Sequence, residues 1–240
     1  GLTTGQIVAL STTQVAAIET GDIAALTTAH VAALTTAQLK SIWEPNAKVN
    51  YWKDLNPAWP NRRIVLFGAG TDSGTFDYFT EAIMGRAGSI RKDYFPSEDD
   101  NVIMRGVTGN PYAMAFVGFA YYEENKDKVK AVAIDHGKGC VLPSRETVLD
   151  GTYQPLSRPL FIYVNVKSLD RPEVQAFVDF YLSPAARRAI RSTGYVELPD
   201  EAYRIGQGLV ARKKTGSFFT DLPPGTPLAK FIEELRKEVQ

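Results

Sequence analysis

The chain has 240 residues, Lys+Arg and Asp+Glu each total 27, and the formal net charge is zero. That length can bury a substantial core in one large or two small domains, and the charge balance excludes the basic footprint of a nucleic-acid protein. A single cysteine, Cys140, excludes an internal disulfide, no apolar run is long enough to span a bilayer, and no basic-then-apolar leader pattern opens the chain.

Residues 2–41 form an octapeptide tract of five units: LTTGQIVA, LSTTQVAA, IETGDIAA, LTTAHVAA and LTTAQLKS. Leu2, Leu10, Ile18, Leu26 and Leu34 hold one apolar register, and Ile7, Val15, Ile23, Val31 and Leu39 the other. In one continuous helix an eight-residue period would drift by about 80° per unit. Each unit also restarts with a hydroxyl residue, often with Gln three positions on, as in Thr3/Gln6, Ser11/Gln14 and Thr35/Gln38. That is a capping box, which marks a helix beginning. The pattern predicts a stack of one-to-two-turn helices, or else a poorly ordered low-complexity arm. Either way the tract reads as a spacer or assembly surface.

A connection rich in Pro and Trp (Trp52, Pro57, Trp59, Pro60) leads into Arg63–Gly85, RIVLFGAGTDSGTFDYFTEAIMG. The apolar run Ile64-Val65-Leu66-Phe67 predicts a strand, and Phe76, Phe79, Ile83 and Met84 recur at helical spacing. Between them lies a loop of Gly, Thr, Asp and Ser. A helix N-terminus carries unpaired N–H groups and partial positive charge, so a strand, a glycine-rich hydroxyl loop and a helix start together suit an oxyanion. Gly70 and Gly74 would let backbone approach a ligand, and Ser73 and Thr75 offer hydroxyl donors. An ordinary helix start capped by Asp72 or Ser73 gives the same letters. The Gly-Lys-Ser/Thr ending of a nucleotide loop is missing. Asp72-Ser73-Gly74 looks like a serine nucleophile, but the only two histidines, His30 and His136, sit in a repeat and a Gly-rich turn. Hydrolysis therefore lacks a base, and no enzyme is expected.

Farther on, Asn101–Gly109 and Ala113–Ala120 mix apolar runs with Gly and suggest buried strand near a turn, while Glu123–Lys128 reads as a solvated helix end. Val129–Ile134 and Pro159–Val166 read as strands, rich in β-branched and aromatic residues. Pro172–Leu182 predicts an amphipathic helix with Val174, Phe177, Val178 and Tyr181 on one face. Ala185–Ser192 predicts a basic helix closed by Gly194, and Thr226–Gln240 a tail helix striped by Leu228, Phe231, Ile232 and Leu235. Strands alternating with helices imply an α/β fold with a mainly parallel sheet.

From about Leu34 to Phe219 the sequence resembles the phosphate-binding proteins of ABC-type phosphate importers. The stretches that carry the likeness are LTTAQLKSIWEP, LNPAWPNRRIVLFGAGTDSGTFDYFTEAI, FVGFAYYEENKDKVKAVAI, PLSRPLFIYVNVKSLDRPEVQAFVDFYL and TGYVELPDEAY, in that family's order. The resemblance implies a two-lobed, type II periplasmic-binding-protein fold. Residues 67–157 would form the second lobe with the anion loop, 42–66 and 158–212 a first-lobe remnant, and 213–240 a tail. It also implies phosphate held by Asp72, Ser73, Gly74 and Thr75. Other members place an Arg and an Asp where Ala69 and Thr71 stand here, so a cation must come from elsewhere: Arg158, at the expected hinge, or Arg105.

Nothing between Gly1 and Leu34 resembles the βα segment that supplies the opposing half of the family's phosphate site. The first lobe is therefore expected to be incomplete, and phosphate affinity low. The implied function is an extracytoplasmic receptor, in periplasm or cell envelope, that captures inorganic phosphate for ABC permease subunits, with no cofactor, metal or nucleic acid. The rival is a structural or assembly protein working through its repeats, with a vestigial binding scaffold.

Overall fold

The structure, a computed structural model, describes residues 33–217 and 222–238. The first four octapeptides, apart from Ala33, and with them the expected short-helix stack, lie outside the described residues. In chain order the elements are β1 (Ala33–Thr35), α1 (Thr36–Trp43), α2 (Trp52–Leu55), β2 (Val65–Ala69), α3 (Gly74–Met84), β3 (Phe95–Ser97), α4 (Asp100–Thr108), β4 (Ala113–Phe116), α5 (Phe119–Asn125), β5 (Ala133–Asp135), β6 (Cys140–Val141), α6 (Arg145–Leu149), α7 (Pro172–Tyr181), α8 (Pro184–Ser192), α9 (Asp200–Ala211) and α10 (Leu228–Lys237), with a 3-10 turn at Val166–Asp170.

The fifth octapeptide is the start of the α/β body. Thr35 caps α1, its hydroxyl accepting the Gln38 N–H at 3.1 Å, while the Gln38 carbonyl oxygen accepts the Thr35 N–H at 2.9 Å. The predicted capping box is thus formed. Leu34 pairs with Ile134 in the parallel β1–β5 ladder, and both Leu34 and Leu39 are buried. A second sheet has the order β3-β2-β4, parallel throughout, with Phe67 opposite Phe95 on one side and Ala115 on the other. The strands are parallel in the main, as expected, but divided between two small sheets, with β6 antiparallel to β5.

The expected lobe boundary at residue 66 is not where the core divides. Leu34, Leu39, Ile42, Trp43, Trp52 and Ile64 share one buried cluster with Leu66, Phe76, Phe79, Phe116 and Ile134. Trp43 is fully buried, with ring centroids 5.0 Å from Phe116, 5.6 Å from Phe79 and 6.0 Å from Tyr94. Arg91, only 8% exposed, donates to the carbonyls of Ile42 and Val49 and to the Asp93 carboxylate. So residues 42–66 pack as part of the body that carries the anion loop.

Other expectations change for local reasons. Asn101–Gly109 is helical: Asp99 caps α4 by accepting the Asn101 N–H at 2.9 Å, and Ile103 and Met104 enter the core. Residues 159–165 form no regular element, Val166 opens the 3-10 turn, and no strand among the described residues pairs with this stretch. The helices α7 and α8 fall where their apolar spacing and Pro residues put them. The tail is not separate either: Ile232 of α10 packs with Ala202 and Ile205 of α9 in a small second cluster.

Chain order positions the candidate site. From β2 the chain crosses to β3 on one side, then returns to β4 on the other. In open α/β sheets the crevice at the carboxyl ends of strands, where the order reverses in this way, is where ligands bind. Here that crevice holds the loop from Gly70 to Ser73.

Candidate anion site

Ser73 is the N-cap of α3, in extended backbone, and its Oγ accepts the Thr75 N–H at 3.1 Å. A hydroxyl that accepts one bond still has its own hydrogen to donate. Gly74, first residue of the helix, has an N–H with no intrahelical acceptor. Among the described residues no hydrogen bond occupies that N–H or the Thr75 hydroxyl. Three donors thus remain at the positive end of an 11-residue helix: the hydroxyls of Ser73 and Thr75 and the Gly74 N–H.

Arg158 lies beside the start of α3. One terminal nitrogen of Arg158 lies 2.9 Å from where a Cβ on Gly74 would stand, so the guanidinium occupies the space that the missing side chain leaves. Its guanidinium carbon lies over the Tyr78 ring, 5.3 Å from the centroid. No carboxylate among the described residues pairs with Arg158. Ser73, Gly74, Thr75, Tyr78 and Arg158 all line one cleft of about 1510 Å³. Arg105, the alternative cation, is exposed on α4 and does not line it.

Two sequence expectations are corrected by Glu98. Its Oε1 accepts the Asp72 N–H at 3.2 Å, so that donor is already committed within the protein. A side chain on Gly70 would run into the same carboxylate, so the space this glycine leaves is occupied by Glu98. The Ser73 N–H is likewise used, by the Gly70 carbonyl at 3.1 Å. The site is therefore narrower than the loop, centred on Ser73–Thr75.

Tyr78 was not singled out from sequence. Its hydroxyl lies 2.8 Å from the carbonyl oxygens of both Pro155 and Ser157, and it accepts the Gly225 N–H at 3.0 Å. Burial raises its pKa, against lowering contributions from the Gly225 N–H and Arg158. The available signal was its place four residues after Gly74, one turn along the same helix face. Glu98 gave no such signal, because its contact spans 26 residues.

Among the described residues no cluster of His, Cys, Asp and Glu could hold a metal ion. Hydroxyl donors, a helix start and an unpaired guanidinium hold a tetrahedral anion by hydrogen bonds and charge.

Known proteins resemble this chain over most of its length. The chain is 49% identical over 184 residues to the protein SphX of Synechocystis sp. and 38% identical over 168 residues to the phosphate-binding protein PstS of Staphylococcus haemolyticus, covering 75% and 69% of this chain but 54% and 51% of theirs. It thus spans about half the length of these relatives. Among solved structures, one described as a possible phosphate binding protein from Planctomyces limnophilus superposes with a TM-score of 0.65 at 41% identity, covering 77% of this chain and 66% of that one. A Clostridium perfringens structure, described as a phosphate ABC transporter substrate-binding protein with bound phosphate, gives 0.60 at 27% identity over 70% of this chain and 64% of its own. The sequence profile of the PBP superfamily domain matches residues 9–185, a span that begins inside the octapeptide tract, and the chain belongs to that superfamily.

Proposed function

We propose that this chain is the phosphate-contacting portion of an extracytoplasmic solute-binding protein, which captures inorganic phosphate and presents it to an ABC permease in the membrane. The reading places the protein in the periplasm or cell envelope and has it release its ligand unchanged. The observation that carries it is the convergence of the Ser73 hydroxyl, the Gly74 N–H, the Thr75 hydroxyl and the Arg158 guanidinium at the start of α3. A relative and structural neighbours named for phosphate support the choice of anion.

Residues 33–157 act as the ligand-holding lobe in this reading, and Arg158 begins the crossover out of it. Charge-assisted hydrogen bonds are strong when water is excluded on all sides. With donors described on one face only, we expect a dissociation constant on the order of 1 mM, near −4 kcal/mol. Calorimetric titration with sodium phosphate tests this. Saturable heat that disappears in the Ser73→Ala/Thr75→Ala double variant supports the reading; no heat with the unmodified chain, or heat untouched by the double substitution, rejects it.

A further inference from the structure

The crossover carrying Arg158 is tied to the anion loop through one side chain, Tyr78, which sits on the helix whose first residue is Gly74. Its ring lies beneath the guanidinium at 5.3 Å. Its hydroxyl, which has a single hydrogen, faces the carbonyls of Pro155 and Ser157 at 2.8 Å each, the latter being the residue just before Arg158. The same oxygen accepts the N–H of Gly225, in the turn that leads to α10. That turn is packed closely: Gly225 has φ +79°, and a Cβ there would stand 2.8 Å from the Cβ of Pro155. Arg158 has no carboxylate partner among the described residues, so its position over Gly74 depends on what holds its backbone and its face.

We propose that Tyr78 is the positioning residue of the anion site: it holds Arg158 over the Gly74 N–H by its ring and by the crossover backbone, and it ties both to the C-terminal turn at Gly225. This deepens the phosphate reading and rests on it for the ligand. A ring under a guanidinium fixes the plane from which its N–H groups point. The hydroxyl fixes the height of the crossover above the helix. A cation placed in advance needs no reorganisation when the anion arrives, and affinity rises by the ordering avoided. The C-terminal turn becomes a remote support of the site, joined by one hydrogen bond.

Two variants separate the ring from the hydroxyl. Tyr78→Phe keeps the ring and removes the one O–H donor that faces the two carbonyls and the acceptor of the Gly225 N–H; Tyr78→Leu removes both supports. Sodium phosphate affinity is read by calorimetry, and the Nε–Hε signal of Arg158 by NMR before and after phosphate. In the unmodified chain the Arg158 Hε is expected upfield, shielded by the ring, and is expected to move when phosphate is added. Tyr78→Phe is expected to keep the upfield position, broaden the signal and weaken binding about threefold, while Tyr78→Leu loses the ring shift and weakens binding about tenfold. Arg158 at the same shift in Tyr78→Leu as in the unmodified chain overturns the proposal. So does weakened binding without any change at Arg158, which would mark Tyr78 as a general support of the fold. If the unmodified chain gives no heat, the phosphate reading fails, and the ring shift in the ligand-free protein still decides whether Tyr78 holds Arg158. Should Tyr78→Leu not fold, the broadening and affinity loss in Tyr78→Phe carry the test, and their absence contradicts it.

Discussion

Residues 33–157 and residues 158–238 are built on different terms. The first region has a cluster of 14 buried residues, Trp43 among them, with Arg91 bound to the carbonyls of Ile42 and Val49 beside it. The second has a cluster of three, and it leaves Leu160, Tyr163, Phe177 and Phe180 more than half exposed. Yet the proposed site draws its donors from the first region and its cation from the start of the second. The contrast teaches that the anion loop starts from a packed core, whereas Arg158 rests over the Tyr78 ring at the edge of that core.

The sharpest way to break this comparison is to truncate one large side chain in each region. Trp43→Ala is expected to lower unfolding free energy by about 4 kcal/mol, since a buried indole leaves a cavity its aromatic neighbours cannot fill. Urea unfolding followed by circular dichroism reads this. The comparison fails if the loss is under about 1 kcal/mol.

Next in size is Gly74→Ala. The added methyl meets the far end of a flexible side chain, not backbone, so stability changes little while Arg158 is displaced. Phosphate affinity should fall about tenfold, with the urea midpoint within experimental scatter of the parent. An affinity unchanged by this methyl would mean that Arg158 does not act at the site.

A smaller effect tests the Arg91 hub. The neighbouring Arg91 guanidinium holds the Asp93 carboxyl below its usual range. A carboxylate with a depressed folded pKa stabilises above its unfolded value, about 3.9, and that contribution fades as pH falls through and below it. Asp93 is half exposed, so Asp93→Asn is expected to cost only about 0.5–1 kcal/mol at neutral pH. The gap between parent and variant should close between about pH 4 and pH 2. A gap that stays constant to pH 2 would deny the pairing. Smallest of all, Phe177→Ser on the exposed face of α7, 61% exposed, should change stability by less than about 0.5 kcal/mol.

Local signals carried much of this molecule. The strand before Gly68, the helix after Ser73, the capping box at Thr35 and Gln38, and the Pro-started helices at Pro172 and Pro184 depend on neighbours a few residues apart. The hydroxyls of Ser73 and Thr75 were legible for the same reason. What escaped is non-local. Leu34 was visible as one register of a repeat, but its partner Ile134 lies 100 residues on. The capture of the Asp72 N–H by Glu98, and the triple role of the Tyr78 hydroxyl, arise only when distant segments are brought together. Pro159–Val166 erred the other way: β-branched and aromatic composition favours a strand, but a strand exists only where another pairs with it. In Asn101–Gly109 the apolar run alone suggests a strand, but the Asp99 cap starts a helix there.

The account turns on an anion resting against the Gly74 N–H, and backbone amide NMR reads that contact residue by residue. On titration with sodium phosphate the Gly74 amide proton should move downfield and saturate, as expected for a charge-assisted hydrogen bond, while the Asp72 amide, already held by Glu98, stays within a small fraction of that shift. A Gly74 amide unmoved at saturating phosphate, or a response centred on residues outside the start of α3, would contradict it.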